Sequence, residues 1–235
     1  MRKFTLLAAA ALAAMAVPAS ATITISDKQQ VGQGQTIQFP VQPNGTTIIG
    51  LTNQTSTSVT FTSVFTGTTQ GGTPFAGTGQ TLTAPSAGQA RIEAVGSNGS
   101  QTPLNSLLIA LTAPGTNFGY IEFNLFGGGQ FTTATSVVIT GLDQFGQAFT
   151  ITHAIGSGEN FFSALATGGE RITNISFNTP TGGVTDIRQI RINTDQNIIP
   201  LPEPGTWGMM ILGFGAAGIA IRRSRRRKAL LTQIA

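Results

Sequence analysis

Cysteine is absent from this chain of 235 residues. Without thiols there are no disulfides, no thiol nucleophile and no zinc–thiolate site, so the fold rests on packing or on a bound ion. Histidine occurs once (His153), tyrosine once (Tyr120) and tryptophan once (Trp207). Charged residues make up only 9% of the sequence, which leaves solubility to the abundant Thr, Ser, Asn and Gln. No Gly-x-Ser-x-Gly elbow is present, so a serine-hydrolase triad lacks its motif. A sustained helical or apolar pattern occurs only at the two ends.

The formal charge of +4 misleads until it is divided along the chain. Arg2 and Lys3 stand at the start, and Arg222, Arg223, Arg225, Arg226, Arg227 and Lys228 near the end. Residues 22–200 keep five cations: Lys28, Arg91, Arg171, Arg188 and Arg191. Against them stand eight acids: Asp27, Glu93, Glu122, Asp143, Glu159, Glu170, Asp186 and Asp195. Five against eight gives the body −3, which supplies no electrostatic footprint for nucleic acid.

The N-terminal end has the layout of a secretory signal peptide. Met1, Arg2 and Lys3 form a basic start, residues 4–17 an apolar stretch rich in Ala and Leu, and Ala19 and Ala21 the small residues for cleavage after position 21. This segment, 1–21, implies the secretory translocon and signal peptidase as partners. The absence of a paired arginine favours the general secretory route.

The C-terminal end has three parts in order. Pro200, Pro202 and Pro204 fix φ and remove donors, favouring an extended, exposed spacer. Residues 205–221 carry no charge and, as a helix, reach ~25 Å, close to a ~30 Å hydrocarbon core. Trp207 stands at the outer end, where an amphipathic ring prefers the interface. Gly213, Gly215 and Gly218 leave one face with little bulk, suited to close helix packing. The basic block 222–228 follows as a topology signal that stays in the cytoplasm, placing the N-terminal body outside. On physical grounds alone, an ordinary membrane anchor accounts for these parts as well as a sorting signal does.

Pro202, Glu203 and Pro204, then Trp207, a Gly-rich apolar segment and an arginine cluster resemble the PEP-CTERM sorting signal, in the variant with Trp three residues after the second proline. Residues 229–235 extend past the block as a short cytoplasmic tail. The resemblance implies recognition by an exosortase, a membrane transpeptidase that cuts near Pro-Glu-Pro. It also implies the envelope of a Gram-negative bacterium, with a membrane-anchored precursor followed by release to the cell surface or a matrix of extracellular polysaccharide and biofilm.

The body, residues 22–199, reads as strands throughout, with no linker dividing it. The clearest alternation puts Leu107, Ile109 and Leu111 on one face of a strand. A second strand sets Ile121, Phe123 and Leu125 against Glu122 and Asn124 on the solvated side. Further strands follow at 135–140, 147–155, 160–165, 171–177 and 188–192, separated by Gly-rich turns. Residues 66–79 read as a long irregular loop. The expected fold is all-β: one antiparallel β-sandwich or jelly roll, with an N-terminal signal helix and a C-terminal transmembrane helix. The order of residues 117–192 also resembles lectin-type and galactose-binding jelly-roll modules, an analogy of fold and not of function.

Candidate sites in the body are sparse. His153 lies on a strand with Phe149, Ile151 and Ile155 and reads as a neutral core or strand-end residue before it reads as a catalytic base. A glycosidase needs two carboxylates ~5–9 Å apart, and the sequence does not place any two of the six central ones together. Asp143, before Gln144, Phe145 and Gly146, reads as a hairpin turn, with Asp accepting from the backbone and Gly at positive φ. Asp143, Glu159 and Asp186 together form a speculative calcium set. Asp186 with Arg188 and Arg191 reads equally as surface pairing of little weight. The leading expectation is a non-catalytic exported surface or matrix protein without a cofactor. The alternatives are a carbohydrate-binding module, with or without calcium, and a glycan hydrolase.

Overall fold

The computed structural model describes residues 22–30, 34–68, 72, 74–85, 90–128, 131–194 and 212–215. By its contacts the chain divides into a β-rich unit, Ala21–Asn197, and a second unit of Met1–Ser20 with Ile198–Ala235. Of the second unit only residues 212–215 are described, as a helical turn. No helix among the described residues is long and apolar enough to cross a membrane. The signal peptide, the sorting motif, the basic block and all but four residues of the apolar segment lie outside the described residues.

The β unit contains β1 (Thr22–Ser26), β2 (Gln35–Gln38), β3 (Thr47–Thr52), β4 (Ser58–Thr62), β5 (Thr66–Thr68), β6 (Pro74–Ala76), β7 (Thr81–Thr83) and β8 (Arg91–Val95). It continues with β9 (Gln101–Thr102), β10 (Ser106–Leu111), β11 (Tyr120–Gly127), β12 (Ser136–Asp143), β13 (Ala148–Ala154), β14 (Gly158–Thr167), β15 (Ile172–Asn178) and β16 (Asp186–Asn193). Threonine, valine, isoleucine and phenylalanine dominate these runs, and their side chains suit a pleated, half-buried surface.

All pairings are antiparallel, as the sequence leads one to expect. The expected sandwich of two separate sheets is instead a single, nearly closed, barrel-like sheet. Its path runs β1-β14-β11-β16-β2-β3-β4-β10-β15-β12-β13, with β8 branching from β16 and carrying β7 and β9. The join is β2. Gln35 and Thr36 pair with β16, and two residues later Ile37 and Gln38 pair with β3. A four-residue strand thus serves both halves of the wall, and this change of partner is invisible to a period-two pattern.

Alternating residues from both halves meet in one core. Phe61, Leu107, Ile109, Ile139 and Phe177 enter from the β3-to-β13 half, and Ile121, Phe123, Leu125, Phe162 and Ala164 from the other. The Phe123 ring lies 6.0 Å from that of Phe162 on its own half and 6.5 Å from that of Phe177 on the facing one. Such aromatic pairs add about 0.5–1.5 kcal/mol each beyond their buried area.

Two regions differ from the sequence expectation. The irregular loop expected at 66–79 contains the hairpin of β5 and β6, whose three-residue strands are too short to show a period. Phe65 and Phe75 pack edge to face there at 5.7 Å. A Cβ on Gly67 would stand 2.5 Å from the Phe75 ring, so glycine is what lets that ring lie against the strand. The second difference is β1, which hydrogen-bonds along the edge of β14 from Thr22 to Ser26. It begins one residue after the expected cleavage position.

Candidate functional site

Charge in the β unit is gathered on the outward face of β8, β16, β11 and β14. The cause lies in the sequence of β16, in which Asp186, Arg188 and Arg191 alternate with Ile187, Ile190 and Ile192. In a regular strand residues three apart point to opposite faces, so Arg188 and Arg191 would be divided. The pairing with β11 shows why they are not. Asn124 faces Arg188 and Glu122 faces Arg191, so Gln189 and Ile190 together oppose Phe123. This is a β-bulge, and Gln189 occupies it with φ 54°, in the left-handed region. The three isoleucines are fully buried inward, which leaves both arginines and Asp186 on the outward side.

Asp186 is fully buried beneath this arrangement. Arg188 grips it with a two-pronged contact, Nε to Oδ1 at 2.7 Å and Nη2 to Oδ2 at 2.5 Å. Arg91, the direct cross-strand neighbour of Arg188, places Nε 3.3 Å from Oδ2 of the same carboxylate and Nη2 against Glu93. Two arginines directly opposite would repel, and the buried carboxylate between them removes that repulsion. The Arg188 guanidinium also lies 3.8 Å from the centroid of the Phe126 ring, a cation–π contact. The hydrogen bonds to Asp186 hold the Arg188 pKa above its ordinary value. Burial pushes the Glu93 carboxyl up, and neighbouring Arg91 offsets part of that rise. The sequence reading of Asp186 as a surface pair therefore gives way to a buried, doubly held carboxylate.

Glu122 corrects the sequence in the same way. Expected on a solvated face, it is fully buried, as are Asn124 and, to within 1%, Tyr120. The cover is the segment after β1. The Gln30 N–H donates to Glu122 Oε2 at 2.6 Å, and Ser163 Oγ donates to the Lys28 carbonyl at 3.2 Å. The Tyr120 hydroxyl lies 2.8 Å from Glu122 Oε2 and 3.1 Å from the Gln30 carbonyl, and its one hydrogen serves one of them at a time. Glu122 Oε1 stands 3.6 Å from Arg191 Nη1 without a hydrogen bond. Burial, then the contact with Glu122, drives the Tyr120 pKa well above its ordinary value.

The remaining sequence candidates are dispersed. Asp143 is the hairpin residue it was expected to be: Oδ1 accepts from the N–H groups of Phe145 and Gln147, and Gly146 has φ 78°. Glu159 is exposed on β14, across Phe126 from Asp186. The calcium set is therefore not brought together, since Asp143 belongs to the opposite half and Asp186 is engaged by arginine. Among the described residues no group of three or more His, Cys, Asp or Glu is placed to hold a metal ion. His153 sits half-exposed on β13, edge-on to the Phe162 ring at 5.4 Å and 3.8 Å from Asp27. It is a strand residue at the seam between β13 and the chain leaving β1. A hollow of about 350 Å³, bordered by Ser58, Leu111, Thr116 and Thr194 among others, has no ionisable side chain in its described lining.

Sequence reasoning missed the bulge, although a signal was present. The spacing of Ile187, Ile190 and Ile192 is three and then two, which only a break in the pleat can bury on one side.

Comparison with known families gives one match, at the other end of the chain. Residues 200–227 match the PEP-CTERM protein-sorting motif. That motif implies recognition by an exosortase-type membrane enzyme and export as a membrane-anchored precursor processed at the cell envelope. None of the curated proteins and none of the solved structures compared with the chain matches it.

Proposed function

We propose that the chain is the precursor of a non-catalytic surface or matrix protein, whose β unit is the cargo and whose C-terminal segment is a removable address. The family match over residues 200–227 carries this reading. The sequence supplies the rest: a signal peptide at 1–21, cleavage after Ala21, a spanning segment at 205–221 and a basic block at 222–228 retained in the cytoplasm. An exosortase cuts near Pro202, Glu203 and Pro204, with Trp207 as part of the recognised motif, and the β unit passes to the cell surface or to an extracellular polysaccharide matrix.

Several observations favour a non-catalytic body. Asp186 is locked by Arg188 on both oxygens, and Glu122 is fully buried under the segment 27–30. Neither is free to serve as a nucleophile or a proton donor to a substrate. Among the described residues the partners of His153 are Asp27 and Phe162, neither of them a hydroxyl nucleophile.

Intact-mass analysis of the mature protein tests the reading. The expected product begins at Thr22 and ends near residue 204, without Trp207 and the basic block. A product that keeps residues 207–228 in cells with an active exosortase overturns it and leaves a plain anchor.

A further inference from the structure

We infer that the bulged face of β8, β16 and β11 is a binding platform for an acidic polysaccharide, a polymer whose carboxylates are read by Arg91, Arg188 and Arg191. Three of the five cations in residues 22–200 lie on this face, although the body as a whole is negative. Their partners are sunk beneath them. Asp186 and Glu122 side chains are fully buried and that of Glu93 is 10% exposed, whereas the arginine side chains are 27–35% exposed. Over Asp186, Glu122 and Glu93 solvent therefore meets guanidinium, with carboxylate behind it, and Glu159 on β14 stands as an exposed carboxylate at the border of the face. A guanidinium held from below by a carboxylate is already desolvated and oriented, and it keeps its other edge for a second carboxylate.

Among the described residues those second edges are unused. Among the described residues the Arg188 side chain donates hydrogen bonds only to Asp186, from Nε and Nη2, so Nη1 has no acceptor. Arg191 approaches Glu122 at 3.6 Å, and among the described residues its side chain donates no hydrogen bond. Arg91 turns Nε and Nη2 to Asp186 and Glu93, which leaves Nη1 without an acceptor among the described residues. The left-handed bulge at Gln189 supplies a further indication, because it holds a non-glycine residue in a costly conformation and its effect is to put Arg188 and Arg191 on one side.

The shape selects among anionic partners. The donors lie along a strand face and line neither of the two hollows bordered by described residues, which suits an extended chain over a small molecule. A polyphosphate is disfavoured, since no lysine belongs to the platform. Carboxylates match the bidentate fork of arginine. The rest of the face offers a neutral amide and half-buried rings, namely Gln189, Phe126 and Phe161, which suit sugar hydroxyls and ring faces. The inference concerns the β unit and is independent of how the tail is processed, so the mass experiment and the binding experiment fail separately.

The test is affinity electrophoresis and calorimetry of the purified full chain with polygalacturonate, neutral dextran and poly-glutamate. The expected result is binding to polygalacturonate that weakens with salt, no retention by dextran and weaker binding to poly-glutamate. Arg191→Gln should weaken polygalacturonate binding by about tenfold or more, the worth of one charge-assisted contact. Arg171→Gln, an equal charge change beside the β12–β13 hairpin, should leave it unchanged. Arg188→Lys, which keeps the charge but loses the fork, covers the case in which Arg191→Gln does not fold. Equal binding of dextran, equal loss from Arg171→Gln, stronger binding of poly-glutamate or no binding at all would each overturn the inference.

Discussion

The backbone N–H of Gln30 donates a 2.6 Å hydrogen bond to Oε2 of Glu122, 92 residues further along the chain. This contact ties the segment leaving the edge strand β1 to the centre of β11, over a carboxylate with no access to solvent. Removing one partner of a buried pair leaves the other charge uncompensated. Glu122→Ala is therefore expected to cost about 3–5 kcal/mol, with Gln30 and Arg191 both left unpaired. Glu122→Gln keeps an acceptor for the Gln30 amide and should cost about 1–2 kcal/mol. Urea unfolding of the two variants checks the difference. Equal losses would mean that the charge, and not the hydrogen bond, holds the segment.

The same region shows what the sequence could and could not reveal. The alternation of Ile121, Phe123 and Leu125 announces β11 and its inward face, and Asp143 with Gly146 announces the β12–β13 hairpin. Both are local patterns, set by the pleat and by turn stereochemistry. The burial of Glu122 is not local. It depends on a segment 92 residues away, and nothing near position 122 records it. Likewise β2 owes its place to two partners, β16 and β3, each distant in sequence. The sorting segment is legible for the opposite reason, since its prolines, tryptophan and arginines are contiguous.

Tyr120 provides an optical test, because it is the only tyrosine in the chain. Its folded pKa is raised well above the ordinary 10, first by burial and then by Glu122. The sign follows directly: stability from this group is intact below pH 10 and is lost as pH rises beyond it. Tyrosinate absorbance should be absent from the folded protein at pH 10–11. It should appear only together with the loss of β-sheet circular dichroism. A tyrosinate signal near pH 10 in the folded protein would contradict the buried placement.

Glu93 has the opposite place in the pH scale and the same sign. Burial raises its carboxyl pKa above the ordinary 4.5, with Arg91 lowering it in part. Its contribution is whole at pH below 4.5 and declines as pH rises through the folded value, because the ionised form is the penalised one. Glu93→Gln removes that titration. The stability of the variant relative to the parent should therefore improve as pH is raised from 4 to 7. Thermal melts of both proteins across this range give the comparison, and a difference that is flat with pH would refute it.

Gln189 holds φ 54° at the bulge, where a β-branched side chain is strongly disfavoured. Gln189→Val should cost about 1–2 kcal/mol. Gln189→Gly should lie within about 1 kcal/mol of the parent, since glycine relieves the left-handed conformation while losing the 3.3 Å contact from Asn124 and adding chain entropy. Deleting residue 189 is a different matter. It would leave Asp186, Ile187, Arg188, Ile190, Arg191 and Ile192 in strict alternation, with every isoleucine still inward and both arginines outward, so the variant should fold with a regular ladder opposite Phe123. Chemical denaturation of the three variants distinguishes a designed bulge from a tolerated irregularity.

The sorting segment makes a prediction that depends only on backbone chemistry. Pro202 and Pro204 stand just before an uncharged stretch that reads as helix from 205 to 221. Each proline disfavours helix by about 3 kcal/mol relative to alanine, so the pair keeps the spacer extended while the apolar segment is helical. In Pro202→Ala/Pro204→Ala the helix can extend back through Glu203, which withdraws the peptide bonds from a protease that needs an extended chain. The basic block is untouched, so membrane insertion and orientation should be unchanged. The expected outcome is accumulation of a membrane-bound precursor whose intact mass includes residues 207–228. A control that replaces Arg222, Arg223, Arg225, Arg226, Arg227 and Lys228 with Gln should alter orientation instead, read by the accessibility of the β unit to external protease. If the double proline variant is processed as fully as the parent, the extended spacer is not what the enzyme requires, and recognition lies in Glu203 and Trp207.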